Sequence, residues 1–273
     1  MTLTALEGEA LDLLATRPLV VLTGAGLSTD SGIPDYRGPG APSRMPMTYL
    51  EFVASPLAQQ RDWARSHLGW QRMGRALPND SHRALAALDP RLLITQNVDG
   101  LHEAAGSRSL VALHGRVADV ICLGCRTTSS RAALERELDA LNPGWLERHG
   151  WVESRPDGDV DLDDTHDFVV PRCPCGGALK PDVVFFGENV PPERVARCYE
   201  AVEALGPDGA LLITGSGHRF VKRAAAGATP IVVVNRGQTR GDALASYKLE
   251  VGCSEFLVAL RARHTNPRIP GVV

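Results

Sequence analysis

The chain has 273 residues, 44% of them hydrophobic, and a formal net charge of −3 at pH 7. This length exceeds one average domain and suits a single α/β core with an insertion. A slightly acidic chain lacks the basic field that nucleic-acid binding requires, so we expect no nucleic-acid partner. The sequence contains no apolar run of membrane-spanning length, so we expect no membrane partner.

The first residues, 1–17, mix Leu and Ala with acidic residues, which predicts an amphipathic helix. They lack the positively charged start of a secretory signal peptide. The six cysteines include two close pairs, and in a chain without a secretion signal such pairs favour metal binding over disulfides. We therefore expect a cytoplasmic protein.

Apolar runs alternate with helical patterns along most of the chain. Strands are predicted at 19–23, 92–95, 110–113, 210–214 and 231–234. Helices are predicted at 3–16, 48–76 with a break at Ser55-Pro56, 79–88, 192–205, 218–227 and 254–263. Strands that alternate with helices are typical of a doubly wound parallel α/β sheet of the Rossmann type.

The composition changes between residues 116 and 181, where the two cysteine pairs bracket a helical stretch at about 130–141. We interpret this region as a small metal-binding module inserted into the larger domain. The predicted division is a Rossmann-type domain of residues 1–115 and 182–273 and a zinc-binding module of residues 116–181.

The two cysteine pairs predict one zinc ion. The four candidate ligands are Cys122, Cys125, Cys173 and Cys175. The first pair has the two-residue gap of a zinc knuckle, and the second pair has a one-residue gap followed by Gly176 and Gly177. Four thiolate ligands leave no open position on zinc, so the ion would be structural. The alternative is four unligated thiols, which a module of little apolar content would hold together poorly.

A glycine-rich turn follows the first predicted strand, Leu19–Thr23. It contains Gly24 and Gly26, and glycine lets a backbone bend tightly or approach a ligand closely. A phosphate at such a turn meets unpaired N–H groups and the positive end of the next helix, so we interpret the turn as a pyrophosphate site. The third glycine of the usual fingerprint is replaced by Thr29. A turn that binds nothing remains an alternative, and an ordinary NAD dehydrogenase is disfavoured.

Three further segments carry polar residues beside this turn or at strand ends, where ligands of open α/β sheets bind. They are Ser31-Gly32-Ile33-Pro34-Asp35-Tyr36-Arg37-Gly38, Thr95-Gln96-Asn97-Val98-Asp99-Gly100-Leu101-His102 and Leu113-His114-Gly115. A histidine titrates near neutral pH and can therefore take a proton from a hydroxyl group. Together with the glycine turn, these segments closely resemble the sirtuins, which are NAD-dependent protein-lysine deacylases.

The resemblance extends from Val20 to Cys253 and implies a role for individual residues. His114 matches the family's catalytic histidine, Asn97 is the second catalytic candidate, and His102 is expected to be structural. The residues that match the family's NAD-binding positions are Gly24, Ala25, Gly26, Ser28, Gly32, Ile33, Pro34, Asp35, Tyr36, Arg37, Gln96, Asn97, Val98, Asp99, Gly215, Ser216, Gly217, Asn235, Arg236, Gly237 and Cys253. The proline-containing loop 34–47 is interpreted as a lid over the cofactor.

A second match is the run from Lys180 to Glu188, which by itself predicts an edge strand or a buried connecting strand. In the family this run pairs with the substrate peptide, a case of β-strand addition. The implied substrate-binding residues are Val184, Phe185, Phe186, Gly187 and Glu188.

The chain departs from the family in two places. The second cysteine pair has one residue between its members, where sirtuins usually have two. After the strand at 210–214, Gly215-Ser216-Gly217 leads almost directly into a helix, whereas sirtuins have several more residues there. In the family that loop forms the other side of the peptide cleft, so its absence concerns peptide binding and turnover more than NAD binding.

Segments around Trp63-Ala64-Arg65 and Lys180 are most similar to class II sirtuins. The tyrosine-x-x-arginine pair of succinyl- and malonyl-preferring relatives is absent from residues 48–76. Arg65 and Arg72 nevertheless leave an acidic acyl group open.

The resemblance implies that the chain removes acyl groups from lysine with NAD as co-substrate. The expected products are nicotinamide, free lysine and O-acyl-ADP-ribose, and the expected partner is an acyl-lysine protein or peptide. Two alternatives remain at this point. One is mono-ADP-ribosyl transfer to a protein, which would use the same pocket. The other is an NAD-sensing module without turnover, which the short segment after Ser216 favours.

Overall fold

The computed structural model describes residues 4–35, 46–149, 160, 162 and 164–265. Its strands are β1 (Leu19–Thr23), β2 (Leu92–Thr95), β3 (Leu110–Ala112), β4 (Gly115–Cys122), β5 (Thr128–Ser130), β6 (Leu179–Val183), β7 (Ala210–Thr214), β8 (Ile231–Val234) and β9 (Tyr247–Leu249). Its α-helices are α1 (Ala5–Ala15), α2 (Tyr49–Ala54), α3 (Pro56–Met73), α4 (Asp80–Leu88), α5 (Leu101–Ala104), α6 (Arg131–Leu141), α7 (Trp145–His149), α8 (Pro192–Glu203), α9 (His218–Ala226) and α10 (Cys253–Thr265).

Six parallel strands form the central sheet, in the order β3-β2-β1-β7-β8-β9. Every residue of β1, β2, β7 and β8 is buried, which explains why these strands are continuous apolar runs in the sequence. The predicted bounds of these four strands are confirmed to the residue.

Helices cover both faces of the sheet. Because successive side chains of a strand point to opposite faces, alternate residues of β1 pack into different clusters. Val21 belongs to one cluster with residues of α1, α4 and α10. Leu22 belongs to the other with residues of α8 and α9. The expected doubly wound α/β architecture is thus confirmed, and it stacks two apolar cores on one sheet.

A second sheet has three strands in the order β5-β4-β6, with antiparallel pairing. Most of its residues and α6 lie within the predicted module, but α3 also packs there. Trp63 and Leu68 of α3 share a buried cluster with Trp145 and Phe168. The module therefore has more apolar core than its own sequence suggests. The predicted domain bounds fall within β4 and β6, and the division itself remains a prediction.

We predict that Trp63→Ala lowers the free energy of unfolding by about 3–5 kcal/mol, as expected for a large cavity in a core. Trp63 is fully buried, and its indole Nε1–H donates to the carbonyl oxygen of Leu179 at 2.9 Å. Leu57→Ala, on the same helix at a position that is 73% exposed, is the matched control and should change stability little. Urea denaturation measures both, and equal losses would contradict a core that includes α3.

Candidate active site and metal centre

The chain reverses its direction of winding between β1 and β7, and this switch point forms the base of the candidate site. Gly24 N–H donates to the carbonyl oxygen of Thr214 at 3.0 Å. A Cβ atom added to Gly215 would lie 3.3 Å from Gly24 Cα, and the φ angle of Gly215 is +141°. The turns after β1 and β7 therefore touch through their backbones, and position 215 requires glycine for both conformation and space.

Open space lies beside the second glycine of the turn. A Cβ atom added to Gly26 would meet no heavy atom of the described residues within 4 Å. Gly32, with a φ angle of +81°, ends the short 3₁₀ turn Thr29–Ser31 that follows. The hydroxyl oxygens of Ser31 and Thr214 are buried, and neither has a hydrogen-bond partner among the described residues. Open space beside a glycine-rich turn suits a polar ligand such as a dinucleotide.

Ser28, Asn97 and Asp99 form a hydrogen-bonded group at the ends of β1 and β2. Asn97 Nδ2 donates to Ser28 Oγ at 3.0 Å, and Ser28 Oγ donates to Asp99 Oδ2 at 2.7 Å. The other carboxylate oxygen of Asp99 accepts from Leu101 N–H at 2.9 Å. Burial raises the pKa of Asp99, while the Leu101 and Ser28 hydrogen bonds oppose this shift. The network fixes the orientation of all three side chains at the mouth of the crevice.

His114 follows β3 and is held by the chain on both sides. Its Nδ1 lies 3.1 Å from the carbonyl oxygen of Gln96. A carbonyl oxygen can only accept, so Nδ1 carries the proton and a neutral imidazole keeps its lone pair on Nε2. Burial lowers the pKa of His114, the Gln96 carbonyl opposes this shift, and the nearby charges of Arg219 and Arg194 lower the pKa further. The geometry therefore provides a neutral imidazole that can accept a proton at Nε2.

The 184–188 segment lies directly against His114. Val184 N–H donates to the carbonyl oxygen of His114 at 2.8 Å. β6 ends at Val183, so the expectation of a strand through Glu188 is wrong for these last residues. They form a turn in which Glu188 N–H donates to the carbonyl oxygen of Phe185 at 3.0 Å. Phe186 makes an isolated bridge to Thr48 and is 44% exposed.

The residues expected on the adenine side of the ligand lie after β8 and at the start of α10. Gly237 has a φ angle of +84°, and its N–H donates to Glu250 Oε2 at 2.8 Å. Asn235 Nδ2 donates to the carbonyl oxygens of Arg236 and Gly237 and so closes this turn. Burial raises the pKa of the Cys253 thiol to about 11, and the nearby Asp30 carboxylate adds to the shift. Cys253 is therefore a neutral thiol in this environment.

Gly217 and α9 confirm that the segment after β7 is short. α9 begins at His218, directly after Gly217. A Cβ atom added to Gly217 would lie 1.9 Å from Leu22 Cδ2, so the turn is pressed onto the strand below it. Tyr36, Arg37 and most of the predicted lid lie outside the described residues.

Two buried histidines, His82 and His102, pack next to the carboxyl end of β1. His102 Nε2 lies 3.0 Å from Thr23 Oγ1, and its ring centroid is 4.7 Å from that of His82. Burial lowers the pKa of His82 to about 4 and that of His102 to about 3. His82 Nδ1 contacts Asn79 Oδ1 at 2.9 Å. These contacts are those of packed neutral side chains, as expected for a structural His102, and His82 has no counterpart in the sequence interpretation.

Arg65 is a buried residue of α3. Only 5% of its surface is exposed, and its Nε–H donates to the carbonyl oxygen of Leu162 at 2.7 Å. Its side chain therefore connects α3 to the small module through Leu162.

The four candidate zinc ligands lie together. The sulfur atoms of Cys122, Cys125, Cys173 and Cys175 all lie within 4.8 Å of one another. Gly176 N–H donates to the carbonyl oxygen of Cys173 at 2.7 Å, which closes a tight turn with a φ angle of +83° at Gly176. A Cβ atom added to Gly177 would lie 2.6 Å from Cys122 Sγ. Because of these two glycines, Cys173 and Cys175 can both point their sulfur atoms into the cluster although only one residue separates them. Four thiolates suit one tetrahedral zinc ion.

Comparisons with known proteins identify the family. The Sir2 family model matches residues 24–219. A protein of Mycobacterium avium (strain 104) named NAD-dependent protein deacetylase 1 is 51% identical over 263 residues, which cover 92% of this chain and 93% of that protein. A protein of the same name from Streptomyces coelicolor is 52% identical over 264 residues, which cover 92% of this chain and 88% of that protein.

Solved structures agree with this result. A Sir2–p53 peptide–NAD+ complex has a TM-score of 0.71 at 28% identity, and the match covers 94% of this chain and 98% of that chain. A complex of a Sir2 homologue with NAD has a TM-score of 0.70 at 27% identity, with 94% and 93% of the two chains covered. The chain belongs to the Sir2 family. None of its helices, within the residues described, is long and apolar enough to cross a membrane.

We predict that the two buried histidines make the fold sensitive to acid. The unfolded chain binds a proton at each histidine below about pH 6.5, whereas the folded chain excludes these protons until the pH reaches about 4 for His82 and about 3 for His102. The free energy of unfolding therefore falls as the pH drops from about 6.5 to about 4, by up to about 1.4 kcal/mol per pH unit for each histidine.

Urea denaturation at intervals across this pH range measures the slope. The variant His82→Gln/His102→Asn removes both titrating groups and should flatten the slope, whatever its absolute stability. An equally steep slope in that variant would assign the acid sensitivity to other groups.

We predict one zinc ion per chain and its loss from Cys173→Ser. Removal of one thiolate leaves three ligands, so metal content and melting temperature should both fall. Cys198 is buried outside the cluster, and Cys198→Ala is the matched control that should retain its zinc. Elemental analysis of the purified variants decides the result, and a full zinc content in Cys173→Ser would exclude that residue as a ligand.

Proposed function

We propose that this chain is an NAD-dependent protein-lysine deacetylase whose general base is His114. The observation that carries the proposal is the position of this histidine. It lies at the carboxyl end of the parallel sheet, holds its proton on Nδ1 through Gln96, and contacts the 184–188 turn through its own carbonyl oxygen. Relatives that are 51% and 52% identical over 92% of this chain are named NAD-dependent protein deacetylase 1.

The switch-point crevice is the proposed NAD site. The turns at Gly24 and Gly215 would hold the pyrophosphate, because their backbones approach closely enough to leave the crevice edge free of side chains. Ser28, Asn97 and Asp99 would contact the nicotinamide and its ribose, and the turn at 235–237 would contact the adenine side. NAD bound there supplies the ADP-ribosyl group that accepts the acyl group.

Proton transfer is the step that we assign to this chain's own residues. His114 Nε2 would take the proton of a ribose hydroxyl group, and its lowered pKa keeps the imidazole neutral at neutral pH. The Gln96 carbonyl would stabilise the imidazolium that forms, because Nδ1–H already donates to it. Asn97, with 9% of its surface exposed, would orient the polar substrate groups in a site from which water is largely excluded.

The proposed protein substrate is an acyl-lysine peptide that binds beside the 184–188 turn. The exposed side chain of Phe186 and the proximity of this turn to His114 support that position. The zinc ion would be structural, because four thiolate ligands leave no open position on the ion and His114 is not among them.

A second candidate function is NAD binding without turnover. The observation that favours it is the direct entry of Gly217 into α9, which leaves the crevice without the loop that completes the peptide cleft in other sirtuins. Nicotinamide release from NAD, measured with a panel of acyl-lysine peptides, separates the candidates. Release that depends on a peptide supports deacylation. Release without peptide points to ADP-ribosyl transfer or NAD hydrolysis, and NAD binding without release points to sensing.

We predict that His114→Ala lowers the NAD-dependent formation of deacylated peptide by about 100-fold or more, because it removes the base that takes the ribose hydroxyl proton. NAD affinity, measured by calorimetry, should stay close to the wild-type value. His166→Ala, at an exposed histidine of the small module, is the matched control and should retain full activity. Activity that survives in His114→Ala, with folding intact, would refute the assignment of the base.

A further inference from the structure

A buried lysine lies directly behind the 184–188 turn. Lys180 belongs to β6, and only 2% of its surface is exposed. Its Nζ donates to the carbonyl oxygen of Val183 at 2.5 Å and lies 2.9 Å from Glu188 Oε2. It also lies 4.3 Å from the centroid of the Phe185 ring. Lysine is rarely buried unless it is paired, and here three of its contacts belong to the turn or to the residue that precedes it.

Glu188 links the lysine to the backbone of the turn. Its Oε2 accepts both from Lys180 Nζ and from Phe185 N–H, the latter at 2.9 Å. Glu188 N–H in turn donates to the carbonyl oxygen of Phe185. The ammonium group therefore fixes a carboxylate, and the carboxylate fixes the backbone on which the turn closes.

Fold stability alone does not account for such a pair. A buried ion pair loses much of its Coulomb gain to desolvation, and apolar residues of similar volume often stabilise a core equally well or better. A buried charge that is fully hydrogen-bonded can instead specify one conformation among several. At this place the conformation in question is that of the proposed peptide-binding turn.

We propose that Lys180 is a positioning residue for the acyl-lysine peptide, and that it acts through Glu188, Val183 and Phe185. It holds the backbone of residues 184–188 in the conformation that receives the peptide. This inference rests on the proposed deacetylase function and assigns a role to a residue outside the predicted site.

The connections of the turn show why its position matters. Val184 N–H donates a hydrogen bond to the carbonyl oxygen of His114, and Tyr49 N–H of α2 donates to the carbonyl oxygen of Phe186 at 2.9 Å. Phe185 also packs edge-to-face on Phe52 of α2, with ring centroids 5.3 Å apart. Because the segment after β7 is short, the turn is the one peptide-binding segment from the family pattern that the described residues retain in full. A small displacement of a positioning segment lowers catalysis strongly.

The test compares Lys180→Met with the wild-type chain carrying its metal. An acetyl-lysine peptide and NAD are titrated separately in the nicotinamide-release assay. We expect the peptide KM to rise by about tenfold or more, because the turn loses its anchor while the NAD crevice keeps its contacts. The NAD affinity by calorimetry should remain within about twofold of wild type, and amide hydrogen exchange at residues 184–188 should become faster.

Arg131→Met is the matched control. Arg131 is also a buried cation, with 1% of its surface exposed, that pairs with Glu135 and lies over the Trp63 ring. Its contacts are with Glu135 of α6 and with Trp63, Ser66 and Trp70 of α3, and not with the turn, so this variant should lose stability and keep the peptide KM. Lys180→Gln, which keeps a polar donor and removes the charge, replaces Lys180→Met if the latter does not fold.

The outcomes separate the two claims. Lys180 variants that lose stability and keep the wild-type peptide KM would overturn the positioning role, as would an equal rise of KM in Arg131→Met. A wild-type chain that releases no nicotinamide with any acyl-lysine peptide would instead overturn the proposed function and this inference with it.

Discussion

The close contact between the turns after β1 and β7 is the constraint on which the site depends. These strands are neighbours, yet the chain continues from them in opposite directions across the sheet. The two following turns must therefore separate above the sheet, and a crevice opens where they part. Gly24 and Gly215 leave only backbone atoms at the base of this crevice, because a side chain at position 215 would press on the Gly24 backbone. The polar residues after β2 and β3 then line its open side.

The central sheet could be predicted closely because its middle strands are buried on both faces. Such strands are short apolar runs between turns, and β1, β2, β7 and β8 carry that signal without interruption. The strands of the second sheet give no comparable signal. β5 consists of three exposed polar residues, Thr128–Ser130, that pair antiparallel with β4. β9 is three residues long and only partly buried, so its sequence does not indicate a strand, and only its pairing with β8 identifies it as one.

The contribution of α3 to the small module could not be predicted from local pattern. Its helical period indicates an apolar face, but nothing in the period says which of two cores that face meets. Trp63 and Leu68 meet Trp145 and Phe168, which are far away along the chain. The same limit applies to the site. His114 and Asn97 were predicted as site residues by motif and stay a prediction, whereas the group that orients His114 is the backbone carbonyl of Gln96, which no side-chain pattern encodes.

Lys180 had one local signal, a charged residue at the start of the run that ends at Glu188. That signal is ambiguous, because an edge strand also carries lysines that face solvent and prevent aggregation. Burial and the position of Glu188 resolve the ambiguity, and both are tertiary facts. The short segment before α9 is thus accompanied by a 184–188 turn that the Lys180–Glu188 ion pair anchors.

The crevice and the peptide-binding turn share one apolar cluster. Ile33 from the proposed NAD segment packs in it with Leu101, Val117 and Val183, and Phe185 is packed against its edge. Protein interiors are close-packed and transmit small displacements. The proposed NAD segment is therefore joined by packing to β6 and to the turn that follows it. The proposed NAD segment and the proposed peptide-binding turn thus share one packed cluster, and the Lys180–Glu188 ion pair also anchors the turn.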